Sequence, residues 1–265
     1  MKKDQALVHP PKGGKMNFKQ SRFDHLAPVP FRVLAAGRSG SGKTSALYSA
    51  VTDHYKGCFS KIIIVARTAF LDHSYVQLQE WAAKHLRQDH REEPFVFTGF
   101  EDEASLMDIF NAHAAKVAKE KHQRKQEHSS APLSSILWII DDLSDSHALR
   151  SRNESVLNKL FTTGRHSGQS VWLNCHALSA VGTLLRKNAS CLIIFEISNA
   201  KEFEMLAMEY AHLVGGRDTF QEIYDVAVGK GAPNYSFLTI LPHEQDVDKM
   251  FLARFDEHLV IEDDD

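Results

Sequence analysis

The sequence predicts an α/β fold with a doubly wound, mainly parallel sheet and helices on both faces. Three observations lead to this prediction. Short apolar segments alternate with segments of helical periodicity, the apolar segments are continuous, and a glycine-rich motif joins the first strand to the first helix. Continuous apolar strands are typical of parallel sheets that are covered on both faces, because neither side of such a strand meets water.

The individual elements follow from the same two patterns. Runs of apolar, mostly β-branched or aromatic residues predict strands at 31–36, 61–66, 95–98, 135–140, 170–173, 191–195 and 235–241. Apolar residues at helical spacing predict helices at 44–54, 74–86, 101–118, 154–161, 178–185 and 203–214. The polar stretch 119–130 is predicted to be a loop.

Length and composition define the class of protein and its division into segments. The chain has 265 residues, of which 43% are hydrophobic and 25% charged, values typical of a folded soluble domain. We expect a basic, flexible arm at 1–28, one large domain at 29–245, and a helix with an acidic tail at 246–265. The longest apolar runs are far too short to span a membrane, and the three separated cysteines indicate neither disulfides nor a zinc site.

The motif GRSGSGKT at 37–44 fits the phosphate-binding pattern G-x-x-x-x-G-K-[ST] and lies between a predicted strand and a predicted helix. Glycines let backbone N–H groups surround a phosphate, the lysine reaches the β- and γ-phosphates, and the hydroxyl binds Mg²⁺. The motif therefore predicts a P-loop NTPase that binds ATP and Mg²⁺. The residues expected to contact the nucleotide are Gly37, Arg38, Ser39, Gly40, Ser41, Gly42, Lys43, Thr44 and Ser45.

An acidic pair follows the apolar strand in ILWIIDDLSD at 136–145. At the carboxyl edge of the sheet, Asp141 would help Thr44 hold the metal, and Asp142 would polarise the attacking water. A helix cap or a solvated turn would produce the same pair of residues. No guanine-reading NKxD motif occurs, which disfavours a GTPase, whereas a kinase of a small metabolite stays open.

Farther along the chain, LFTTGRHSGQSVWLNCHAL at 160–178 and LLRKNAS at 184–190 narrow the interpretation. Together with the two motifs above, they resemble the poxvirus-type genome-packaging ATPases of large eukaryotic DNA viruses, in the FtsK/HerA superfamily. The resemblance runs in order from about residue 31 to residue 241. It is carried by Phe161, the turn Gly164-Arg165-His166, the strand 170–173, and Arg186 with Asn188. The segments 62–75 and 235–240 are similar but less specific.

The resemblance implies a fold, a set of catalytic residues and an assembly. An additional strand would lie between the P-loop strand and the acidic strand. The family's polar sensor, usually Gln, corresponds to His176, with Asn174 two residues earlier. A ring of five or six subunits would thread double-stranded DNA through its centre, with Arg165 or Arg186 reaching the ATP of the neighbouring subunit. Such a motor would work in the virus factory of an infected cell, in the cytoplasm or nucleus, or in the virion, and would meet capsid or inner-membrane virion proteins.

A motor of this kind grips DNA phosphates with exposed cations and does not read sequence. Two groups of cations are candidates for these contacts: Lys116, Lys119, Lys121, Arg124 and Lys125, and then Arg150 and Arg152. For the first group a solvated helix face is the simpler interpretation. Two other functions stay open beside the DNA-packaging motor: the metabolite kinase, and a scaffold whose ring assembles on ATP with little turnover.

Overall fold

A computed structural model of the chain describes residues 17–141, 143, 147–150, 155–197 and 199–260. The strands in this part of the chain are β1 (Arg32–Ala36), β2 (Lys61–Ala66), β3 (Val96–Phe97), β4 (Ile136–Asp141), β5 (Gln169–Cys175), β6 (Cys191–Phe195), β7 (Phe237–Ile240), β8 (Phe251–Ala253) and β9 (Glu257–His258). The α-helices are α1 (Lys43–Ser49), α2 (His73–Leu86), α3 (Glu103–Glu127), α4 (Val156–Thr162), α5 (Thr183–Asn188), α6 (Ala200–Tyr210) and α7 (Arg217–Val228).

The strands form one sheet in the order β3-β2-β4-β5-β1-β6-β7-β8-β9. Strands β3 to β6 of that order run parallel, and the last three pair antiparallel. Every residue of β1, β4, β5 and β6 is buried, so both faces of the central sheet are covered, as predicted. Strand β5 lies between β1 and β4, which confirms the additional strand that the family resemblance implied.

Most predicted elements are present, but the predicted loop at 119–130 is wrong. Helix α3 continues through this stretch to Glu127. The residues there are strong helix formers, and charged and polar pairs one turn apart stabilise the exposed surface. Lys116 lies 4.0 Å from Glu120, and the Gln123 amide donates to the Glu127 carboxylate at 2.9 Å.

The predicted flexible arm at 1–28 is wrong for its described part, because residues 17–28 pack against the domain. Phe18 is buried and forms a parallel bridge with Leu133. The Gln20 side chain hydrogen-bonds both the N–H and the carbonyl of Val29, and the Tyr55 hydroxyl donates to the Ala27 carbonyl. Residues 1–16 lie outside the described residues.

The predicted C-terminal helix at 246–265 is also wrong. A short 3₁₀ turn at Val247–Lys249 is followed by β8 and β9, which extend the sheet beyond the predicted domain boundary at 245. Phe251 is fully buried in this extension. The acidic tail from residue 261 onward lies outside the described residues. None of the described helices is long and apolar enough to cross a bilayer.

Helix α3 buries a histidine that makes stability depend on pH. Within the described part of the chain, Nε2 of His113 has no hydrogen-bond partner. Burial, and then the Lys116 charge, lower the pKa of the imidazole to about 4. In the unfolded chain the imidazole titrates near its ordinary value of about 6.5. The unfolded state therefore binds more protons between these two pKa values. As the pH falls from 6.5 to 4, the free energy of unfolding decreases by up to about 3 kcal/mol.

Replacing His113 with Leu is expected to remove this part of the acid sensitivity. Denaturant midpoints measured at pH 7 and at pH 4.5 would report the free energy of unfolding for each protein. The exposed His122 on the same helix, changed to Leu, is the control and should retain the wild-type loss. Equal losses in wild type and His113→Leu would contradict the assignment.

Candidate functional site

The phosphate loop connects the carboxyl end of β1 to the start of α1. Two glycines shape it for different reasons. Gly42 has φ 100°, a conformation that side-chain-bearing residues rarely adopt, and an added Cβ would lie 3.0 Å from Cβ of Tyr235. At Gly37 an added Cβ would lie 2.6 Å from Cβ of Phe195. The loop therefore needs both glycines for its path between β6 and the segment before β7.

Lys43 is the first residue of α1, and its side chain turns back into the loop. The residue is only 7% exposed, and its Nζ donates to the carbonyls of Gly37 at 2.5 Å and Arg38 at 2.9 Å. The ammonium is thus held inside the loop, beside the N-terminus of the helix. Arg38 on the outer side of the loop pairs with Glu196 at 2.9 Å.

Asp141, the last residue of β4, joins the phosphate loop through its carboxylate. Its Oδ2 accepts from the Thr44 hydroxyl at 3.4 Å, from Nδ2 of Asn174 at 2.8 Å, and from the hydroxyl of Tyr75. Burial, and then the Asp141 charge, raise the pKa of Tyr75 well above its ordinary value, which keeps this hydroxyl protonated as a donor. Three elements other than β4 therefore orient one carboxylate oxygen.

The Thr44 and Asp141 oxygens fit a magnesium site. A hydroxyl and a carboxylate 3.4 Å apart are hard oxygen ligands, and both lie at the edge of the phosphate loop. Mg²⁺ keeps several waters and usually needs only one or two protein ligands beside the phosphates. Thr44 and Asp141 would supply two such ligands.

The two sensor candidates occupy different environments. Asn174 is buried in β5, where it accepts from Nε1 of Trp172 at 2.9 Å and donates to Asp141. His176 follows the end of β5, is exposed, and lines the cavity over the phosphate loop. Asn174 thus holds the Asp141 carboxylate in place, whereas His176 is exposed to a ligand in the cavity.

The cavity over the phosphate loop has a volume of about 480 Å³ and includes residues that sequence analysis did not single out. Tyr75, Thr68 and Asp72 line it with the loop, and Tyr235 lines both this cavity and a neighbouring one of about 920 Å³. Tyr75 and Tyr235 fall within the less specific similar segments, 62–75 and 235–240. That similarity was the only signal for them in the sequence.

The remaining predicted residues are distributed as follows. Asp142 and Arg152 lie outside the described residues. Arg186 in α5 forms an ion pair with Glu209, whose Oε1 lies 2.9 Å from Nε and 2.8 Å from Nη2 of the arginine. The guanidinium also donates to the Val181 carbonyl. Arg165 is exposed in the turn before β5, at the opposite edge of the sheet from the phosphate loop.

The two groups of predicted DNA contacts also differ in their setting. The cations of the first group lie on α3, mostly exposed, with Lys116 and Arg124 near Glu120, an arrangement that favours the solvated helix face. Arg150 is exposed and donates to the Ala180 carbonyl at 3.3 Å. It lies in the connection between β4 and α4.

Tyr75→Phe tests how strongly the hydroxyl of Tyr75 supports Asp141. Removing a buried donor to a carboxylate should lower the free energy of unfolding by about 1.5–3 kcal/mol. Chemical denaturation measures this change. Tyr48→Phe is the matched control, because the Tyr48 hydroxyl has no partner among the described residues, and it should change stability little. Equal effects of the two substitutions would rule out the support of Asp141.

Comparison with known protein families gives one match over most of the chain. A family model described as "Poxvirus A32 protein" matches residues 17–240. No curated protein sequence matches the chain.

Solved structures with a similar fold include viral genome-packaging proteins and a conjugation coupling protein. The DNA-packaging ATPase B204 from Sulfolobus Turreted Icosahedral Virus is 15% identical, with a TM-score of 0.52 over 89% of this chain and 100% of B204. The genome packaging NTPase B204 from Sulfolobus turreted icosahedral virus 2 in complex with ATP-gammaS is 14% identical, with a TM-score of 0.50 over 86% of this chain and 98% of that one. The pCW3 conjugation coupling protein TcpA with ATPgS is 12% identical, with a TM-score of 0.52 over 87% of this chain and 61% of TcpA. At these identities the likeness shows the P-loop ATPase fold.

Proposed function

Because the chain belongs to the poxvirus A32 protein family, we propose that it is an ATP-driven motor subunit that moves double-stranded viral DNA into the capsid. The observation that carries the proposal is the contact between Thr44 and Asp141, 3.4 Å apart, beside the buried ammonium of Lys43. It joins the phosphate loop to the acidic strand across the additional strand β5. A glycine-rich turn without a ligand would need none of these long-range contacts.

In this proposal the loop binds the phosphates of ATP. Backbone N–H groups of the loop and the N-terminus of α1 surround the β-phosphate, and Nζ of Lys43 exchanges its carbonyl partners for phosphate oxygens. The larger cavity beside Tyr235 would accept the nucleoside. Its opening next to the phosphate loop supports this placement.

Hydrolysis requires a carboxylate near the attacking water and a support for the metal. Thr44 and Asp141 would hold Mg²⁺, which neutralises charge on the phosphates when bound. Asp142, the next residue after Asp141, would polarise the water. His176 would contact the γ-phosphate or the water from the rim of the cavity. We assign Asn174 a positioning role, because its amide is already bound to Asp141.

Arg165 is our candidate for the arginine that acts on a neighbouring subunit. Its own phosphate loop lies at the other edge of the sheet, about 20 Å away along a strand of seven residues. Arg165 therefore serves catalysis only if a second copy presents its site to this edge, as in a ring built by head-to-tail contacts. Arg186 is the weaker candidate, because Glu209 and the Val181 carbonyl already bind its guanidinium.

The assembled motor would be a ring of five or six subunits around DNA. Arg150, exposed in the connection after β4, is a candidate for gripping the phosphate backbone, together with Arg152. The ring would act in the virus factory of the infected cell and would dock on capsid or inner-membrane virion proteins. Neither alternative function is favoured by the family match, which covers residues 17–240.

The proposal is tested by phosphate release from ATP, with and without duplex DNA, across a range of protein concentrations. We expect DNA to stimulate release and turnover per subunit to rise with concentration as rings form. Asp142→Asn should abolish phosphate release both with and without DNA. Phosphate transfer to an added metabolite would instead identify a kinase, and assembly on ATP without turnover would identify a scaffold. Turnover independent of DNA and of concentration would contradict the motor.

A further inference from the structure

Another cavity lies at the amino edge of the sheet, opposite the phosphate loop. This amino-edge pocket has a volume of about 860 Å³ and is lined by Arg32, Arg165, His243 and Lys249 on its polar side and by residues such as Leu26 and Leu241 on its apolar side. Arg32 is the first residue of β1, and Arg165 lies in the turn before β5. The parallel strands thus bring both guanidinium groups to one place.

Arg32 is a buried cation for which the described residues provide no compensating carboxylate. The residue is 7% exposed, its Nε has no hydrogen-bond acceptor, and no acidic side chain pairs with it among the described residues. Burial, and then the charge of Arg165, lower the pKa of Arg32. A buried charge with no partner destabilises the fold, and an anion in the pocket would offset this cost.

The surrounding groups do not neutralise this charge. Arg165 is exposed, and its Nε lies 3.3 Å from Nε2 of His166, with no carboxylate beside it in the described part of the chain. Burial, and then Arg32 and Arg165, lower the pKa of His243, which reports the positive potential of the pocket.

Lys249, Glu244 and Asp24 also line the pocket, and among the described residues neither carboxylate forms an ion pair with Arg32 or Arg165. Lys249 pairs with Asp246 at 2.9 Å. The carboxylate of Glu244 accepts from the backbone N–H groups of Gln245 and Asp246, and Asp24 is exposed, 3.8 Å from His25. Neither Glu244 nor Asp24 therefore balances the two arginines.

We propose that the amino-edge pocket is a second anion site, in which Arg32 and Arg165 bind the phosphate group of a small molecule. Two guanidinium groups match a phosphate, which accepts several charge-assisted hydrogen bonds at once. The apolar wall would accept an uncharged part of the same molecule. Duplex DNA fits the pocket poorly, because its phosphates meet protruding side chains, whereas Arg32 is buried at the bottom of a recess.

The phosphate group could come from a free small molecule or from a nucleotide held by a neighbouring copy of the chain. Both sources present the same chemistry to Arg32. The pocket is separate from the phosphate loop of its own chain, since no residue of that loop lines it, although it shares Arg165 with the proposed contact between subunits. Failure of DNA to stimulate ATP hydrolysis would contradict the motor function but would not contradict the anion site.

The test is thermal unfolding of the full chain with pyrophosphate or ATP, against chloride at equal ionic strength. All proteins are compared in wild-type and Lys43→Ala backgrounds, because the phosphate loop also binds these ligands. Arg32→Met keeps the bulk of the side chain and removes the charge. The apparent affinity for the phosphate ligand, obtained from the thermal stabilisation, should fall at least tenfold in this variant. Without ligand, the variant should unfold at the same temperature as its parent or at a higher one. Arg91→Met, a charge removal at a distant exposed position, should change neither quantity.

The two sources give different patterns. A free phosphate compound would stabilise Lys43→Ala through Arg32 at every protein concentration. A neighbour's nucleotide would make the effect of Arg32→Met depend on protein concentration and on an intact Lys43. If Arg32→Met does not fold, the exposed Arg165→Met is measured instead, with the same expected loss. An unchanged response in these variants in both backgrounds, or protection by duplex DNA alone, would overturn the proposal.

Discussion

Replacing Lys43 with Ala is expected to lower the rate of ATP hydrolysis by about 100- to 1,000-fold, the range measured when one preorganised donor to a developing oxyanion is removed. The ammonium is buried in the loop and held by the carbonyls of Gly37 and Arg38, so it is already aligned before ATP binds. Preorganisation of this kind makes the loss large, because no other cation of the loop lies inside it: Arg38 points outward to Glu196.

Steady-state phosphate release measures the loss, and nucleotide affinity measured separately shows how much of it is binding. Lys84→Ala removes an equal charge from the exposed surface of α2 and should leave turnover unchanged. Circular dichroism and the unfolding midpoint verify that Lys43→Ala is folded. If a folded Lys43→Ala protein kept turnover within a factor of about three of wild type, the loss would be far smaller than expected for such a donor. The loop would then not bind the reacting phosphate.

The site could be predicted from sequence where its chemistry is local. The phosphate loop is a contiguous motif between two elements with strong patterns, and Asp141 ends an entirely apolar strand. The contacts that orient Asp141 could not be predicted from the residues alone, since Tyr75 and Asn174 reach it across 66 and 33 positions of the chain. Arg32 was also missed, because nothing in a strand sequence shows that a cation lacks a partner.

The errors in the fold have physical causes as well. Strands β8 and β9 contain three and two residues, too few for a period to be visible, and they form only because β7 offers an edge for pairing. Helix α7 did carry a signal: Phe220, Ile223, Tyr224 and Ala227 follow the helical period and are buried. The helix predicted at 203–214 ends just before the Gly215-Gly216 pair, which in the structure separates two helical segments.

Arg165→Ala is expected to lower ATP turnover about 1,000-fold or more, the size of effect that arginine fingers supply to phosphoryl transfer. Loss of activity alone would not show that Arg165 acts between subunits. The opposite positions of Arg165 and the phosphate loop allow a stricter test, because a head-to-tail interface joins the loop of one copy to the arginine of the next. Two inactive variants with complementary defects should then form active interfaces.

Mixing Arg165→Ala with Lys43→Ala subunits in equal amounts is therefore expected to restore activity. An interface works only when the first variant supplies the loop and the second supplies the arginine, which holds for about one quarter of interfaces if subunits mix at random. Activity should approach about one quarter of wild type when sites act independently, and less when firing is concerted around the ring. Mixing Arg186→Ala with Lys43→Ala is the matched comparison. If Arg186 only holds Glu209, it acts within its own subunit, and the mixture should show no more activity than Arg186→Ala has alone. Recovery with Arg186→Ala and none with Arg165→Ala would exchange the two assignments, and recovery with neither would contradict an arginine acting in trans.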